Sequence, residues 1–287
     1  MHVPAQMPGM EKTMIESITN SQVKRILKLK KNAKYRREEG VFVVEGWKMT
    51  AEALERGIVE TLYISERFME DWKDNLNKAW RETEDTPKEK MREIEDATRV
   101  EYITSRLFLE LSGTVTPQGV LAVVKMPVYD RESILASENS AVVCLEDIQD
   151  PGNLGTIMRT AEGAGMSGLV LSKGCVDLFN PKVVRATMGS IFRVPYYICD
   201  DIVSEAERLR AAGFTTYAAD LEGTCDYTEE SYEGRMAILI GNEANGLSAN
   251  AAEQADRNVK IPMEGRLESL NAAVSSALFM YEIHRRR

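Results

Sequence analysis

Three short stretches of the chain hold side chains in patterns that could do chemistry. They are Asn153-x-Gly155-x-x-x-Arg159, then Gly241-x-Glu243-x-x-Gly246-Leu247, then Ser269-Leu270-Asn271 a few residues beyond Ile261-Pro262-Met263. Arg159 supplies a planar cation that fits a phosphate or an alkoxide oxygen. Glu243, Asn153, Ser269 and Asn271 supply a carboxylate, amides and a hydroxyl that can hold a polar ligand. Each residue also has a plainer reading. Asn153, Ser269 and Asn271 can cap helices, Gly155 can make a tight turn, and Arg159 and Glu243 can face solvent.

What the chain lacks narrows the chemistry. His2 and His284 are its histidines, one near each end, so a histidine-based triad or a histidine-rich metal site has almost no material. Cys144, Cys175, Cys199 and Cys225 are widely spaced with no C-x-x-C pair. That points to a reduced, cytoplasmic protein with no disulfide framework and no metal. No G-x-G-x-x-G follows the first strand of the second half and no G-x-x-x-x-G-K-[ST] occurs, which disfavours a Rossmann dehydrogenase and a P-loop NTPase. No apolar run approaches the roughly 20 residues that span a bilayer, and no membrane partner is expected. Met1 to Met10 lacks a basic segment and an apolar core, so it does not read as a secretory signal.

The candidate residues need a frame. Met236 to Ile240 and Asn258 to Ile261 read as buried strands that empty into loops rich in Gly, Asn and Ser, the way an open α/β sheet builds a pocket at its strand ends. Ala141 to Leu145, Gly168 to Leu171, Val194 to Ile198 and Phe214 to Ala219 read as further strands. Helices are expected over Leu154 to Gly163, Pro181 to Met188, Ile202 to Ala212 and Ser269 to about His284. Continuous apolar strands separated by helices predict a parallel sheet covered on both faces.

The first half alternates as well. A helix after Asn20 or Ser21 carries an apolar stripe of Val23, Ile26 and Leu27; strands follow at Val41 to Val44, Thr61 to Ile64, Val100 to Ile103 and Gly119 to Val124. An amphipathic helix is expected around Trp72 and Trp80, then an exposed excursion broken by Pro87. With 287 residues the chain is long enough for two domains. They are placed at residues 17–127 and 140–287, with a polar connector at 128–139 and disorder at 1–16.

Charge is unevenly spread. Up to Pro127 there are 21 basic and 21 acidic residues, and from Val128 onward 15 and 24, which accounts for the net charge of −9. Within the neutral half, Lys24 to Arg37 contains eight basic residues and no acid. Lys28, Lys31, Lys34 and Arg37 in that run make either a solvated helix face or a phosphate-binding patch.

Taken together, the three stretches resemble the SpoU-type, TrmH-like class of SPOUT RNA methyltransferases. Their order and spacing are specific, although Asn242 and Ala244 stand where Ser and Gly are frequent in relatives. Upstream, Thr114-Val115-Thr116-Pro117-Gln118-Gly119-Val120 is similar to the segment before the linker in members with an N-terminal RNA-substrate-binding domain. The resemblance covers Ser17 to Arg287. It implies a C-terminal parallel-sheet α/β domain with a deep trefoil knot and a smaller N-terminal α/β RNA-binding domain. It further implies a homodimer formed through the C-terminal domain, S-adenosylmethionine as donor, and methylation of a ribose 2′-oxygen.

Carried onto this sequence, the resemblance makes Arg159 the catalytic arginine, with Asn153, Glu243, Ser269 and Asn271 around the reacting ribose. Gly241, Ile261 and Leu270 would contact the donor, with Leu239, Ile240, Asn242 and Met263 beside them. Lys182, Arg185 and Arg193 either guide RNA phosphates toward the site or are simply solvated. Ribosomal RNA is the expected substrate; transfer RNA, or a non-catalytic RNA-binding role in ribosome assembly, is the alternative.

Overall fold

Short β-branched and aliphatic runs make strands wherever glycine or polar residues stop them. In a computed structural model, which describes residues 14–70, 87–266 and 269–287, these runs build one five-stranded and one seven-stranded sheet. The chain divides into two units between Met126 and Pro127. Of residues 1–16, expected to be disordered, 1–13 lie outside the described residues, as does the helix around Trp72 and Trp80; Met14 and Ile15 instead form a strand paired with Tyr102 and Ile103.

The first unit runs β1 (Met14–Ile15), α1 (Ser21–Lys31), α2 (Ala33–Glu39), β2 (Val41–Glu45), α3 (Trp47–Glu55), β3 (Val59–Ser65), α4 (Glu66–Glu70), α5 (Pro87–Ala97), β4 (Arg99–Ile103), α6 (Ser105–Leu111) and β5 (Val120–Lys125). The strand order is β1-β4-β3-β5-β2, parallel except where β5 meets its two neighbours. Pro87, read as a break, instead begins α5, where a missing N–H costs nothing. Asn20 caps α1 through its side-chain oxygen, and Val23, Ile26 and Leu29 bury one face against Val41, Val43, Leu121 and Val123. Leu29 takes the buried place expected of Leu27, which is only partly buried.

The basic run is split by role. Arg25 pairs with Glu60 and Glu39, Lys30 pairs with Glu45 at 3.1 Å, and Arg36 is 3% exposed and donates to the Leu29 carbonyl. Lys28, Lys31, Lys34 and Arg37 are exposed. Lys28 lies 3.7 Å from the centre of the Tyr35 ring, and Lys34 makes a loose 3.8 Å contact with Glu38. Glu45 also accepts from Ser112, Gly113 and Thr114; burial opposes its ionisation, but the Lys30 charge and the hydrogen bonds from Ser112, Gly113 and Lys30 prevail and lower its pKa.

The second unit runs α7 (Arg131–Leu135), β6 (Ala141–Leu145), α8 (Pro151–Gly163), β7 (Gly168–Ser172), α9 (Pro181–Thr187), a 3-10 turn (Ser190–Phe192), β8 (Tyr196–Cys199), α10 (Ile202–Ala211), β9 (Thr215–Ala219), β10 (Cys225–Asp226), β11 (Met236–Ile240), α11 (Ala249–Gln254), β12 (Arg257–Lys260) and α12 (Ala272–Arg286). Within the stretch expected to be a polar connector, 128–139, Ile134 and Leu135 are buried in α7, and Arg131 reaches the buried Glu205 at 2.7 Å. The sheet is parallel throughout, in the order β10-β12-β9-β11-β6-β7-β8. Every residue of β6, β7 and β11 is buried, as strands covered on both faces require. This order sets β12, β9, β11 and β6 side by side, so the loops leaving their C-terminal ends emerge together.

Candidate active site

Two of those loops, 146–150 after β6 and 241–248 after β11, meet above adjacent strands whose registers run from Met236 with Ala141 to Ile240 with Leu145. The first feeds α8. Asp150 caps that helix, its side chain accepting from the Asn153 N–H at 2.8 Å, with Pro151 in the first turn. Asn153 is therefore not the cap, and its amide is free to reach across. Gly155 does not make a turn either: a Cβ there would sit 2.4 Å from the Ala186 Cβ and 2.9 Å from the Val183 carbonyl oxygen, so it permits close packing of α8 on α9.

Across the gap, the half-buried Glu243 accepts three hydrogen bonds: from the Gln149 N–H at 3.2 Å, the Asp150 N–H at 3.2 Å and the Asn153 side-chain amide at 2.9 Å. Burial would raise its pKa, but these donors prevail and hold the carboxyl below its ordinary range. Asn153 Oδ1 in turn accepts from Asn271 Nδ2 at 2.9 Å. Asn271 also caps α12, with Oδ1 accepting from the Ala273 and Val274 N–H groups at 2.9 and 3.3 Å. The candidate residues Glu243, Asn153 and Asn271, distant in sequence, thus form one chain of hydrogen bonds ending on a helix N-terminus.

Beside this chain lies a cleft of about 270 Å³. Ile240, Gly241, Asn242, Ile261, Met263, Ser269 and Leu270 line it, as does Glu243. Gly241 is required by a backbone crossing: a Cβ there would lie 2.0 Å from the Leu247 nitrogen and 2.1 Å from the Gly246 carbonyl carbon. Leu239 does not join the cleft. Strand alternation turns it to the opposite face, into a core with Cys144 and Ala237.

Sequence reasoning missed Ala219 at the end of β9, Asp220 and Leu221 in the loop after it, which close the cleft from that side, and Phe279 from α12. The signal was available in Asp220-Leu221-Glu222-Gly223, a polar turn after a predicted strand of the same sheet. Among the described lining residues the charged groups are Asp220 and Glu243, both acidic, with apolar walls from Leu221, Ile240, Ile261 and Leu270. A cleft so built suits a ligand with a flat apolar part and a positive charge, and opposes one carrying phosphates. The described residues contain no cluster able to hold a metal ion.

Arg159 stands apart. It is exposed on α8, pairs with no described residue, and lines neither this cleft nor the groove between α8 and α12. That groove begins at Asn153 and Asn271 and continues past Thr156, Val274, Leu278 and Tyr281. Arg159 follows Thr156 by three residues and so sits one turn beyond it on the same side of α8. Lys182 is exposed and Arg185 half-buried on α9, whereas Arg193 is held by Glu162, with its Nη2 donating at 3.0 Å. A phosphate would have to displace that carboxylate to use Arg193.

The same frame recurs in known proteins. Residues 140–281 match the model described as the SpoU rRNA Methylase family, and residues 20–122 match the MRM3-like substrate binding domain. The chain is 33% identical over 272 residues to the 23S rRNA (guanosine(2553)-2'-O)-methyltransferase RlmP of Bacillus subtilis, covering 94% of this chain and 98% of that protein. It is 31% identical to the 23S rRNA (uridine(2479)-2'-O)-methyltransferase of Streptomyces viridochromogenes, covering 89% of this chain and 86% of that protein. The crystal structure of an AdoMet-bound rRNA methyltransferase from Sinorhizobium meliloti superposes with a TM-score of 0.80 at 30% identity, over 95% of this chain and 97% of that one.

Proposed function

The chain belongs to the SpoU rRNA methylase family, and from that membership we infer that it transfers a methyl group from S-adenosylmethionine to a ribose 2′-hydroxyl of RNA, with ribosomal RNA as the substrate class. The observation that carries this reading is the cleft walled by Gly241, Ile261 and Leu270, set against the Glu243–Asn153–Asn271 chain. Its acidic and apolar lining fits the donor, which when bound supplies an electrophilic methyl on a positively charged sulfur.

A ribose hydroxyl is a weak nucleophile at neutral pH, so the protein's task is to align it and to stabilise charge growing on its oxygen. Asn153 and Asn271 hold the ribose. Ser269, exposed at the rim of the cleft, contributes a hydroxyl to the same end. Glu243 orients Asn153. With three N–H groups on its carboxylate and a lowered pKa it is a poor proton acceptor, so the proton leaves to solvent or to a substrate phosphate. Arg159 is the electrostatic stabiliser and phosphate clamp.

Two copies pair through the groove between α8 and α12, where Val274 and Tyr281 are 49% and 51% exposed. The deep trefoil knot and a cytoplasmic setting belong to the same reading. Supporting the knot, the loops after β9, β11 and β12 share one cleft with the start of α12. Residues 17–127 serve as the RNA-substrate-binding domain, 128–139 join it to the methyltransferase domain at 140–287, and Lys182 and Arg185 guide phosphates. The two relatives named above act on a guanosine and a uridine, so the base is selected outside the features held in common.

Incubating the protein with methyl-labelled S-adenosylmethionine and fractionated cellular RNA tests the reading. Label is expected on ribose in the ribosomal fraction; label on a base would refute 2′-O transfer, and label confined to transfer RNA would refute the substrate class. For the first unit, replacing Lys28, Lys31 and Lys34 by glutamine is expected to flatten the slope of log affinity against log salt by about 2 to 3, while donor binding is unchanged. An unaltered slope in filter-binding titrations would show that these lysines do not meet RNA.

A further inference from the structure

The reaction as described makes no use of Glu146, yet its contacts are specific. Its carboxylate takes two bonds from one residue, the Ser248 N–H to Oε2 at 2.7 Å and the Ser248 hydroxyl to Oε1 at 2.8 Å. The next residue, Asp147, offers its carbonyl to Asn242 Nδ2 at 2.7 Å. Asn242 and Ser248 bracket the loop that walls the donor cleft, so consecutive residues at the end of β6 hold both of its ends. Between them Asn242 and Gly246 exchange backbone hydrogen bonds of 2.9 Å each. The anchor is itself fastened. Asp147 has a φ of +55°, a conformation disfavoured for a residue with a Cβ. It is kept there by Ser172, whose Oγ accepts from the Asp147 N–H at 2.9 Å and donates to Asp147 Oδ1 at 2.6 Å.

We propose that Glu146 is a positioning residue for donor binding: by gripping Ser248 it holds the 242–248 loop in its closed shape over the cleft, so that S-adenosylmethionine meets a wall already in place. Glu146 is not among the described residues that line the cleft, so its influence passes through the loop rather than by contact. Hydrogen bonds to a charged group are stronger than neutral ones, and a loop that must be ordered on binding lowers affinity by the cost of ordering it. The inference rests on the cleft being the S-adenosylmethionine site.

In the full-length protein, Glu146→Ala is expected to raise the S-adenosylmethionine dissociation constant, read by calorimetry, about tenfold. The donor KM should rise in parallel, with turnover at saturating donor and RNA falling by less than about threefold. The melting temperature of the donor-free protein should stay within about 2 °C of wild type. Glu146→Gln, which retains one acceptor, should recover part of the affinity, and adding Ser248→Ala to Glu146→Ala should cost little more in donor affinity, because both remove the same link, while it lowers the melting temperature by also removing the Ser248 cap of α11. Unchanged donor affinity, a turnover defect with donor affinity intact, or an affinity loss matched by a collapse of the donor-free melting temperature would each overturn the proposal. Failure of the wild-type protein to bind S-adenosylmethionine would instead remove the reading of the cleft.

Discussion

Arg159→Ala is expected to lower methyl transfer by about 10²–10³-fold, the range seen when a group stabilising a developing oxyanion is lost, with donor affinity unchanged. The direction follows from placement. Arg159 is exposed and makes no hydrogen bond or ion pair with any described residue, so its removal breaks none of those links. A guanidinium stays charged in proteins, which suits charge stabilisation and not proton removal. Arg159→Lys separates charge from shape: a point charge on a flexible stem is expected to restore only part of the rate. Near-normal turnover in that variant, measured with saturating donor, would show that the planar fork is unnecessary.

If two copies pair through the α8–α12 groove as proposed, Arg159, one turn beyond the groove residue Thr156, is expected to serve the ribose bound by the second copy. Mixing inactive Arg159→Ala with inactive Glu243→Ala protein should then restore activity in hybrid dimers. No recovery after demonstrated subunit exchange would place Arg159 in the site of its own chain.

The second large effect is expected at Gly241. A methyl group there would meet backbone atoms of Gly246 and Leu247 at 2.0–2.2 Å, and backbone cannot step aside as a side chain does. The loop must move off the strand end, carrying Glu243 with it. Gly241→Ala is therefore expected to weaken S-adenosylmethionine binding about a hundredfold, near the upper end of overpacking costs converted to affinity. Calorimetry reads this directly. Wild-type affinity in the variant would mean that the loop does not pack on Gly241 when the donor is bound.

Much of the frame was legible because burial leaves a plain mark. Ala141–Leu145 and Met236–Ile240 are unbroken apolar runs that could hardly be anything but central parallel strands. The proline and asparagine at the start of α9 mark that helix in the sequence itself. The difficulties came where one residue has two uses. Asn271 caps α12, as its type suggests, and the same side chain reaches Asn153 with its other end; sequence alone suggests the first use and not the second. Asn153 reads as a cap by its type, but Asp150, three residues earlier, takes that place. Leu239 and Ile240 are equally apolar, and only the sheet's pleat says which one faces the cleft. The basic run misled by its total, since Arg25, Lys30 and Arg36 are engaged within the first unit. Spacing shows a helix face; it does not show which lysine has already met a carboxylate.

The strand order has a consequence for how the protein is made. β6 lies between β7, which follows it closely, and β11, whose Met236 pairs with Ala141 only after β7, β8 and β9 have been synthesised. Until then one edge of a wholly apolar strand has no partner, and such distant pairings form slowly. Glu243 and Asn271 arrive later still, so during synthesis the proposed methyl-donor site is among the last features to exist. A nascent chain of this kind is open to misassociation until its final helix emerges. Once it has, any ligand that binds only the finished site draws the population toward the native state by mass action. Cellular S-adenosylmethionine would then act on this chain as a folding aid before it serves as a reagent.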